Sequence, residues 1–344
     1  MTQQSKRTGA DIGILDTEAG ILFLKRTFED NLSSSLNLQR MSAPLFVLSD
    51  SGVQDNLNGI EKPVSFQVKG EPGKTFEIVH SLAKWKRLAL SEYGVKPGCG
   101  IWTDMNAIRP DEETLTSGIH SVYVDQWDWE RVMEPGERTL DFLKSIVRKI
   151  YAAIRATEAA VCVRFDLEAF LPTGITFVHT EDLLAKYPDL DRKEREDRIC
   201  REHGAVFLIG IGGELPDGSI HDGRAPDYDD WTTETAEGKR GLNGDILVWN
   251  PILSRSFELS SMGIRVDKET LVRQLEIRGL SERLKMPWHK KLLDGTLPQT
   301  IGGGIGQSRL SMLLLQKRHI GEVQVGIWTD EVLEDCRKRG IRLL

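Results

Sequence analysis

The chain has 344 residues, and its 45 Lys and Arg against 52 Asp and Glu give a formal net charge of −7. This acidic balance argues against a general nucleic-acid-binding protein, which usually carries a basic excess. Hydrophobic residues make up 40% of the chain and charged residues 28%, which is typical of a folded domain and not of a disordered protein.

Targeting and redox signals are missing from the sequence. No apolar run approaches the roughly 20 residues of a membrane-spanning helix, and the polar N-terminus lacks the apolar segment of a signal peptide. The four cysteines form no C-x-x-C pair, so neither a zinc knuckle nor a redox motif is expected. We therefore expect a cytoplasmic protein without a membrane partner.

Helices and strands are predicted along the whole chain. Residues 1–15 are predicted to form a loose tail, and an amphipathic helix is expected to begin near Asp16 or Thr17. Short apolar segments at residues 44–50 and 76–79 are typical of strands. A basic, helix-compatible stretch follows the second of them.

Residues 121–132 form the most informative predicted strand. Alternation puts Gln126, Asp128 and Glu130 on one face and two tryptophans on the other, where a core position is expected. A face with one amide and two carboxylates suits the floor of a polar site. A solvent-facing edge strand is the alternative that the pattern leaves open.

The remaining elements indicate the fold class. They are a long amphipathic helix at 137–165, a charged helical segment at 181–203, strands at 205–211, 245–249 and 256–260, an aperiodic loop at 212–244, and a glycine run at 302–306 before a helix at 308–316. A loop of that length is usually functional or disordered. We predict an α+β fold, a single domain over residues 1–344 with a central, mostly antiparallel β-sheet flanked by helices.

Three separated segments hold most of the information about function. They lie at residues 105–112, at 245–249 with 257–265, and at 302–309. Each segment alone is a modest signal. In this order the segments resemble the catalytic core of the class II aminoacyl-tRNA synthetases, closest to the aspartyl and asparaginyl enzymes.

The resemblance implies a role for each matching residue. Arg109 and Arg309 match two ATP-binding arginines, and Asp245 and Glu258 match the acidic pair that holds Mg²⁺ on the phosphates. Further ATP contacts are implied at His120, Arg224, Glu258, Gly304 and Gly306, and aspartate contacts at Asp55, Ser81, Lys86, Gln126, Asp128 and Arg265. For His120 a structural role is the alternative. The glycines would let the nucleotide approach the backbone, with an ordinary turn before a helix as the alternative.

From Thr17 onward, the sequence resembles the ammonia-dependent asparagine synthetases, or aspartate–ammonia ligases. The matching segments lie at 54–57, 80–87, 120–131, 224–231 and 300–309. The resemblance implies that aspartate and ATP give β-aspartyl-AMP and pyrophosphate, and that ammonia then gives asparagine and AMP. It also implies ATP as co-substrate, Mg²⁺ as cofactor and a homodimer, with no nucleic-acid partner.

The second reaction needs neutral ammonia, and carboxylates can attract ammonium and accept its proton. Asp55, Asp128 and Asp229 are the candidates, beside Arg109 and Arg309 as the catalytic arginines. The same acids can instead bind the substrate's α-amino group. Which substrate carboxylate is taken by each basic residue also stays open.

The spacing of Glu258 and Arg265 provides a structural test. They lie seven residues apart, so simple alternation puts them on opposite faces of a strand. Both can face the site only if the chain bulges or turns around residues 261–263.

Two charged segments can be interpreted without any role in a functional site. The acidic residues of 227–230 suit a solvated loop, and the basic residues of 84–87 suit one wet helix face. Without the family resemblance, both simpler interpretations are preferred.

Three other functions compete with the ligase. A glutamine-using asparagine synthetase needs an N-terminal cysteine and an amidotransferase domain, but position 2 is Thr2. A tRNA- or protein-aminoacylating paralogue should carry an RNA-binding appendage or a basic face, and no anticodon-binding domain is expected here. A non-catalytic amino-acid sensor is disfavoured because Arg109, Asp245, Glu258 and Arg309 are present.

Overall fold

The computed structural model describes residues 6–55, 57, 61–111, 115–235 and 238–344. Residues 1–5, and Asn56 and Glu112 from the motifs above, lie outside the described residues. The helices are α1 (Ile14–Leu36), α2 (Ala83–Glu92), α3 (Leu140–Phe165), α4 (Thr180–Lys186), α5 (Arg192–His203), α6 (Lys268–Ile277), α7 (Pro287–Leu293), α8 (Gln307–Leu314) and α9 (Asp330–Lys338). The strands are β1 (Leu38–Arg40), β2 (Phe46–Leu48), β3 (Ser65–Gln67), β4 (Thr75–Ile78), β5 (Gly100–Ile108), β6 (Tyr123–Val132), β7 (Thr176–His179), β8 (Ala205–Ile209), β9 (Asn243–Asn250), β10 (Arg255–Ile264) and β11 (Thr300–Gly306).

Eight strands form one sheet in the order β1–β5–β6–β11–β10–β9–β8–β7. The pairs from β5 across to β8 are antiparallel, whereas β1 and β7 pair in parallel at the two edges. Strands β2, β4 and β3 form a second, smaller sheet. The predicted α+β fold with a mostly antiparallel central sheet is therefore confirmed.

The main apolar core lies between one face of the large sheet and helices α1, α3 and α8. Phe28 of α1 packs against Trp127 of β6, with the ring centroids 4.6 Å apart. Trp127 and Trp129 are fully buried in this core, as predicted. Because β6 lies between β5 and β11, the alternative of an edge strand is wrong.

The opposite face of the sheet carries α2, α5 and the long segment at 212–242. Helix α2 packs on β5, β6 and β11, and α5 packs on β8, β9 and β10. A second apolar cluster under α5 joins Ile199 and Cys200 to Val206, Leu208 and Leu247. Alternation along β6 turns Gln126, Asp128 and Glu130 toward this second face.

The N-terminal segment differs from the predicted loose tail. Ile12 is buried, and Lys317 donates hydrogen bonds to the carbonyl oxygens of Gly9 and Ile12 at 2.8 and 3.0 Å. Helix α1 then begins at Ile14, slightly earlier than expected. A buried lysine that reaches these carbonyls ties the segment to the body of the protein.

The charged segment predicted as one helix at 181–203 is two helices, α4 and α5. Pro188 lies between them, and a proline disfavours helical backbone at the residue before it. Asp191 caps α5, since its carboxylate accepts from the backbone N–H of Glu194 at 2.9 Å. No helix among the described residues is long and apolar enough to cross a membrane.

The packing of α1 predicts that a Leu→Ala substitution has different effects on stability at two positions of the helix. Leu24→Ala should lower the free energy of unfolding by about 2–5 kcal/mol, because it leaves a cavity at a fully buried position. Leu22→Ala, at a side chain that is 53% exposed, should change it by less than about 0.5 kcal/mol. Urea unfolding of both variants measures this. Equal losses would contradict the assigned faces of α1.

Candidate functional site

A cavity of about 510 Å³ opens on the second face of the large sheet. Its floor is formed by β6, β11, β10 and β9, and its walls by α2, the segment at 222–229 and the start of α5. Every residue that the sequence assigned to the site lines this one cavity, from Asp55, Ser81, Lys86, Arg109, His120, Gln126 and Asp128 to Arg224, Asp229, Asp245, Glu258, Arg265, Gly304, Gly306 and Arg309. Their individual roles remain predictions.

At one end of the floor, Asp128 of β6 and Lys86 of α2 form a buried ion pair, with 3.2 Å between Oδ2 and Nζ. Asp128 also accepts from the backbone N–H of Leu82, and Lys86 donates to the carbonyl oxygen of Gly303. Burial lowers the pKa of Lys86, while the charge of Asp128 acts in the opposite direction. Each charge therefore depends on the other, because removing one leaves an uncompensated buried charge.

The basic residues of α2 are buried rather than solvated. Lys84, Lys86 and Arg87 are only 1–2% exposed. Lys84 lies 3.0 Å from Asp227, and Arg87 donates to two backbone carbonyls at 2.8 Å each. The alternative of a wet helix face is therefore wrong.

The acidic segment at 227–230 is also buried, so the alternative of a solvated loop is wrong. His289 of α7 joins Lys84 on the carboxylate of Asp227. Gln274 of α6 donates to the carbonyl oxygens of Pro226 and Asp229, both at 2.9 Å. These contacts from three helices hold the segment over the floor of the cavity.

Arg265 follows β10 directly and lies between two buried carboxylates. Its Nε and Nη2 donate to Glu130 at 3.0 and 2.7 Å, and its Nη1 donates to Asp229. Burial lowers the pKa of Arg265, but the two carboxylates outweigh that effect and raise it. Burial raises the pKa of Asp229 even though Arg265 and Arg224 act against this shift.

A β-bulge brings Glu258 and Arg265 to the same cavity. The pairing of β10 with β9 shifts by one residue between Glu258 and Ser260, so Leu259 is an extra residue in the strand. Such an insertion reverses the alternation of side chains beyond it. The required irregularity is present, but it lies at Leu259 and not around residues 261–263.

The other end of the floor holds a pair of carboxylates, Asp245 of β9 and Glu258 of β10. Arg224 Nη2 lies 2.5 Å from Asp245, and Arg309 donates to the carbonyl oxygen of Glu258 at 3.2 Å. Burial raises the pKa of Asp245, with Arg224 opposing the shift and Glu258 adding to it.

This carboxylate pair fits Mg²⁺ better than a metal held by the protein alone. Among the described residues, no group of three or more His, Cys, Asp and Glu side chains could hold a metal ion. Mg²⁺ commonly takes one or two carboxylates and completes its shell with water and substrate phosphates. Asp245 and Glu258, beside an open cavity, are that kind of donor set.

Arg109 lies on the wall of the cavity beside His80 and Asp55. Its Nη2 donates to the carbonyl oxygen of His80 at 3.0 Å, while its buried Nε has no hydrogen-bond partner within the described part of the chain. Burial lowers the pKa of Arg109, and Asp55 acts against the shift. Asp55, only 1% exposed, accepts hydrogen bonds from Ser81 and from the backbone N–H of Leu57.

The glycine run lies in β11, so the alternative of an ordinary turn is wrong. A Cβ on Gly304 would lie 2.4 Å from Gln126 Oε1 and 2.8 Å from Asp128 Oδ1. A Cβ on Gly302 would lie only 2.0 Å from Glu130 Oε2. The glycines therefore make room for the polar side chains of the neighbouring strand.

The sequence matches the aspartate-ammonia ligase family over residues 15–340. The chain belongs to this family. It is similar to asparaginyl-tRNA synthetase from Pyrococcus horikoshii in complex with asparaginyl-adenylate, at 14% identity and a TM-score of 0.66 over 91% of this chain and 70% of that one. The chain is also similar to asparaginyl-tRNA synthetase from Entamoeba histolytica, at 14% identity and a TM-score of 0.65, over 92% of this chain and 68% of that one. These likenesses confirm the fold of a class II aminoacyl-tRNA synthetase core.

Glu130 lies on the polar face predicted for β6 and binds Arg265, a residue that lines the cavity. The sequence analysis of this aspartate–ammonia ligase family member missed three cavity residues, Tyr228, Arg192 and Lys193. Arg192 and Lys193 belong to a charged helical segment, and such segments usually face solvent, so no local pattern indicates a role for either residue.

A buried carboxylate stands next to the cavity in α5. Glu196 is 4% exposed, and it binds His221 Nε2 at 3.1 Å and Lys193 Nζ at 2.8 Å. Burial raises the pKa of Glu196, but these two partners outweigh it and hold the pKa at about 2. The ionised carboxylate therefore contributes stability at neutral pH.

The lowered pKa predicts an acid-dependent loss of stability that Glu196→Gln should remove. The contribution of Glu196 is complete above its ordinary pKa of 4.5 and disappears as the pH falls toward 2. Between pH 6 and pH 3 the stability difference between wild type and variant should shrink by about 2 kcal/mol. Urea unfolding at both pH values measures it. Glu18→Gln, at an exposed position of α1, is the control and should show no such change; a pH-independent difference for Glu196→Gln would contradict the prediction.

Proposed function

We propose that this chain makes asparagine from aspartate, ammonia and ATP through β-aspartyl-AMP, with AMP and pyrophosphate as the other products. Membership of the aspartate–ammonia ligase family supports the overall reaction. The observation that carries the proposal is the cavity itself, which contains groups suited to an amino acid at one end and groups suited to phosphates at the other.

The spacing of the two ends suits transfer between aspartate and ATP. Strand β11 alone separates β6, with Asp128, from β10, with Glu258. Two strand spacings correspond to about 10 Å across the sheet, and Glu258 lies three residues along β10 from Ser261, which is level with Gly304 and Asp128. Aspartate placed near β6 and ATP placed near β10 would therefore occupy adjacent parts of the same cavity.

In the first step, a β-carboxylate oxygen of aspartate attacks the α-phosphorus of ATP, and the bond to the pyrophosphate oxygen breaks. Arg109 is the proposed ligand of the α-phosphate and Arg309 a second arginine on the ATP phosphates, since guanidinium groups stabilise the charge that develops there. Asp245 and Glu258 are proposed to hold Mg²⁺, which when bound neutralises phosphate charge.

Aspartate is proposed to bind among Ser81, Lys86, Gln126 and Asp128. Lys86 and Arg265 suit its two carboxylates, and Asp55 and Asp128 suit its ammonium group. Because Lys86 and Arg265 are already paired with buried acids, the substrate must join that network rather than meet isolated charges.

In the second step, the nitrogen of ammonia attacks the β-carbonyl carbon, the carbon–oxygen bond to AMP breaks, and a proton leaves the nitrogen. Asp55, Asp128 and Asp229 remain the candidates for accepting protons. We favour Asp229, because burial raises its pKa and a less acidic carboxyl group is a better proton acceptor.

Product analysis tests the proposed reaction directly. Purified protein with aspartate, ATP and Mg²⁺ should form asparagine, AMP and pyrophosphate only when ammonium chloride is added, without tRNA. ATP–pyrophosphate exchange without asparagine would instead indicate an adenylate made for another acceptor. No exchange and no asparagine would indicate a non-catalytic amino-acid-binding protein. The expected homodimer stays a prediction.

The role of Asp229 predicts a difference between two nucleophiles. Ammonia is mostly protonated at neutral pH, whereas hydroxylamine is mostly neutral and needs no prior deprotonation. Asp229→Asn should therefore lower the rate with ammonium by about 100-fold or more, consistent with loss of a general base, and the rate with hydroxylamine by much less. Parallel assays of asparagine and aspartyl hydroxamate measure this.

Asp128→Asn provides the matched control in the same cavity. It removes a carboxylate that is paired with Lys86, so it should impair aspartate binding and lower both rates to the same extent. An equal loss with both nucleophiles in Asp229→Asn would show that Asp229 is not the proton acceptor.

A further inference from the structure

Two basic residues outside the three nucleotide-binding segments reach the carboxylate end of the cavity. Arg192 and Lys193 are the first residues of α5, which packs on β9 and β10. Both line the cavity together with Asp245 and Glu258. The ammonium group of Lys193 is close enough to interact electrostatically with Glu258, so Lys193 lies at this end of the cavity.

Lys193 is held in place without being enclosed. Its ammonium group binds Glu196 at 2.8 Å, and His221 fixes the same buried carboxylate from the other side. The side chain of Lys193 is 49% exposed, and a lysine ammonium has three N–H donors. Glu196 therefore orients the charge at the cavity wall and leaves donors for a ligand.

A neighbouring arginine also indicates an anionic ligand. The side chain of Arg224 is more than nine-tenths buried and lines the cavity, with Nη2 bound to Asp245. Its Nε lies 3.5 Å from Asp229 Oδ2 and has no hydrogen-bond partner in the part of the chain that the structure describes. A buried donor without an acceptor is costly, and a bound anion would satisfy it.

Arg192 forms an ion pair with Asp222 at this wall. The contact joins the start of α5 to the segment that carries Arg224, so basic groups of both elements lie around the same end of the cavity. The same end contains the carboxylate pair suited to Mg²⁺. Because Mg²⁺ in such sites also binds substrate phosphates, the polyphosphate of ATP is placed at this end.

We infer that Lys193, together with Arg224, binds the β- and γ-phosphate groups of ATP and the pyrophosphate that leaves. This assignment rests on the proposed function, which places ATP in the cavity. Arg109 remains for the α-phosphate, which stays with AMP. Removing Lys193 should thus weaken the binding of ATP and pyrophosphate, which contain these phosphates, and leave the binding of AMP unchanged.

Equilibrium binding of three nucleotide ligands tests the assignment. The affinities of the full chain for ATP, pyrophosphate and AMP are measured by calorimetry with Mg²⁺ and without aspartate, so that no turnover occurs. Lys193→Met should lower the affinities for ATP and pyrophosphate about tenfold, in line with the loss of one charged hydrogen bond. It should change the affinity for AMP by less than about twofold. Lys193→Arg should restore most of the loss.

Lys186→Met is the matched control, since Lys186 of α4 is half-exposed and paired with Glu202 away from the cavity. It should leave all three affinities unchanged. If Lys193→Met does not fold, Lys193→Gln removes the charge and keeps a donor for Glu196, with the same expected pattern. Unchanged ATP affinity, or an equal loss for AMP, would overturn the inference.

The assay separates this inference from the proposed reaction. If wild type binds ATP and pyrophosphate through Lys193 but forms no asparagine, the phosphate assignment stands and the ligase reaction fails. If wild type forms asparagine while Lys193→Met binds ATP normally, the ligase reaction stands and the assignment fails.

Discussion

The contact of Arg265 with Glu130 and Asp229 holds the site together. All three groups are at most 3% exposed, and they come from the residue after β10, from β6 and from the segment above the sheet. Removing Arg265 would leave two buried carboxylates without this shared partner, which is strongly destabilising. Because Asp229 is fixed to Arg265, the segment at 222–229 is fixed over the floor, and the cavity has a defined wall even though that wall has little regular secondary structure.

Two irregular features of the sheet make this ion cluster possible. The extra residue at Leu259 turns the end of β10 so that Arg265 faces the same side as Glu258. Next to it, Gly302 lacks a side chain where one would collide with Glu130 and Arg265. A regular β10 would point the guanidinium into the apolar core, and a side chain at Gly302 would push the ion pair apart. Backbone geometry and electrostatics therefore depend on each other here.

The sequence predicts the helices and strands better than it predicts which charged side chains are buried. Alternation along β6 correctly separates Trp127 from Asp128, because period two is a local property. The motif order correctly predicts the fold, and all predicted site residues share one cavity. By contrast, Lys84 and Asp227 are far apart in the sequence, and each alone looks like a solvated charge. Their burial follows from a long-range ion pair, which no local pattern reveals. Lys193 was missed for the same reason.

The distribution of charge in the cavity answers a difficulty in the proposed reaction. Ammonium is a cation and ATP a polyanion, so a cavity with one uniform potential cannot attract both. Acidic groups cluster around Asp55, Asp128 and Asp229, where aspartate and ammonia would react. Basic groups from α5, α8 and the segment at 222–229 surround the carboxylate pair at the other end. The overall acidity of the chain is thus compatible with binding a polyphosphate, because Lys193, Arg224 and Arg309 offer positive charge at the proposed phosphate end.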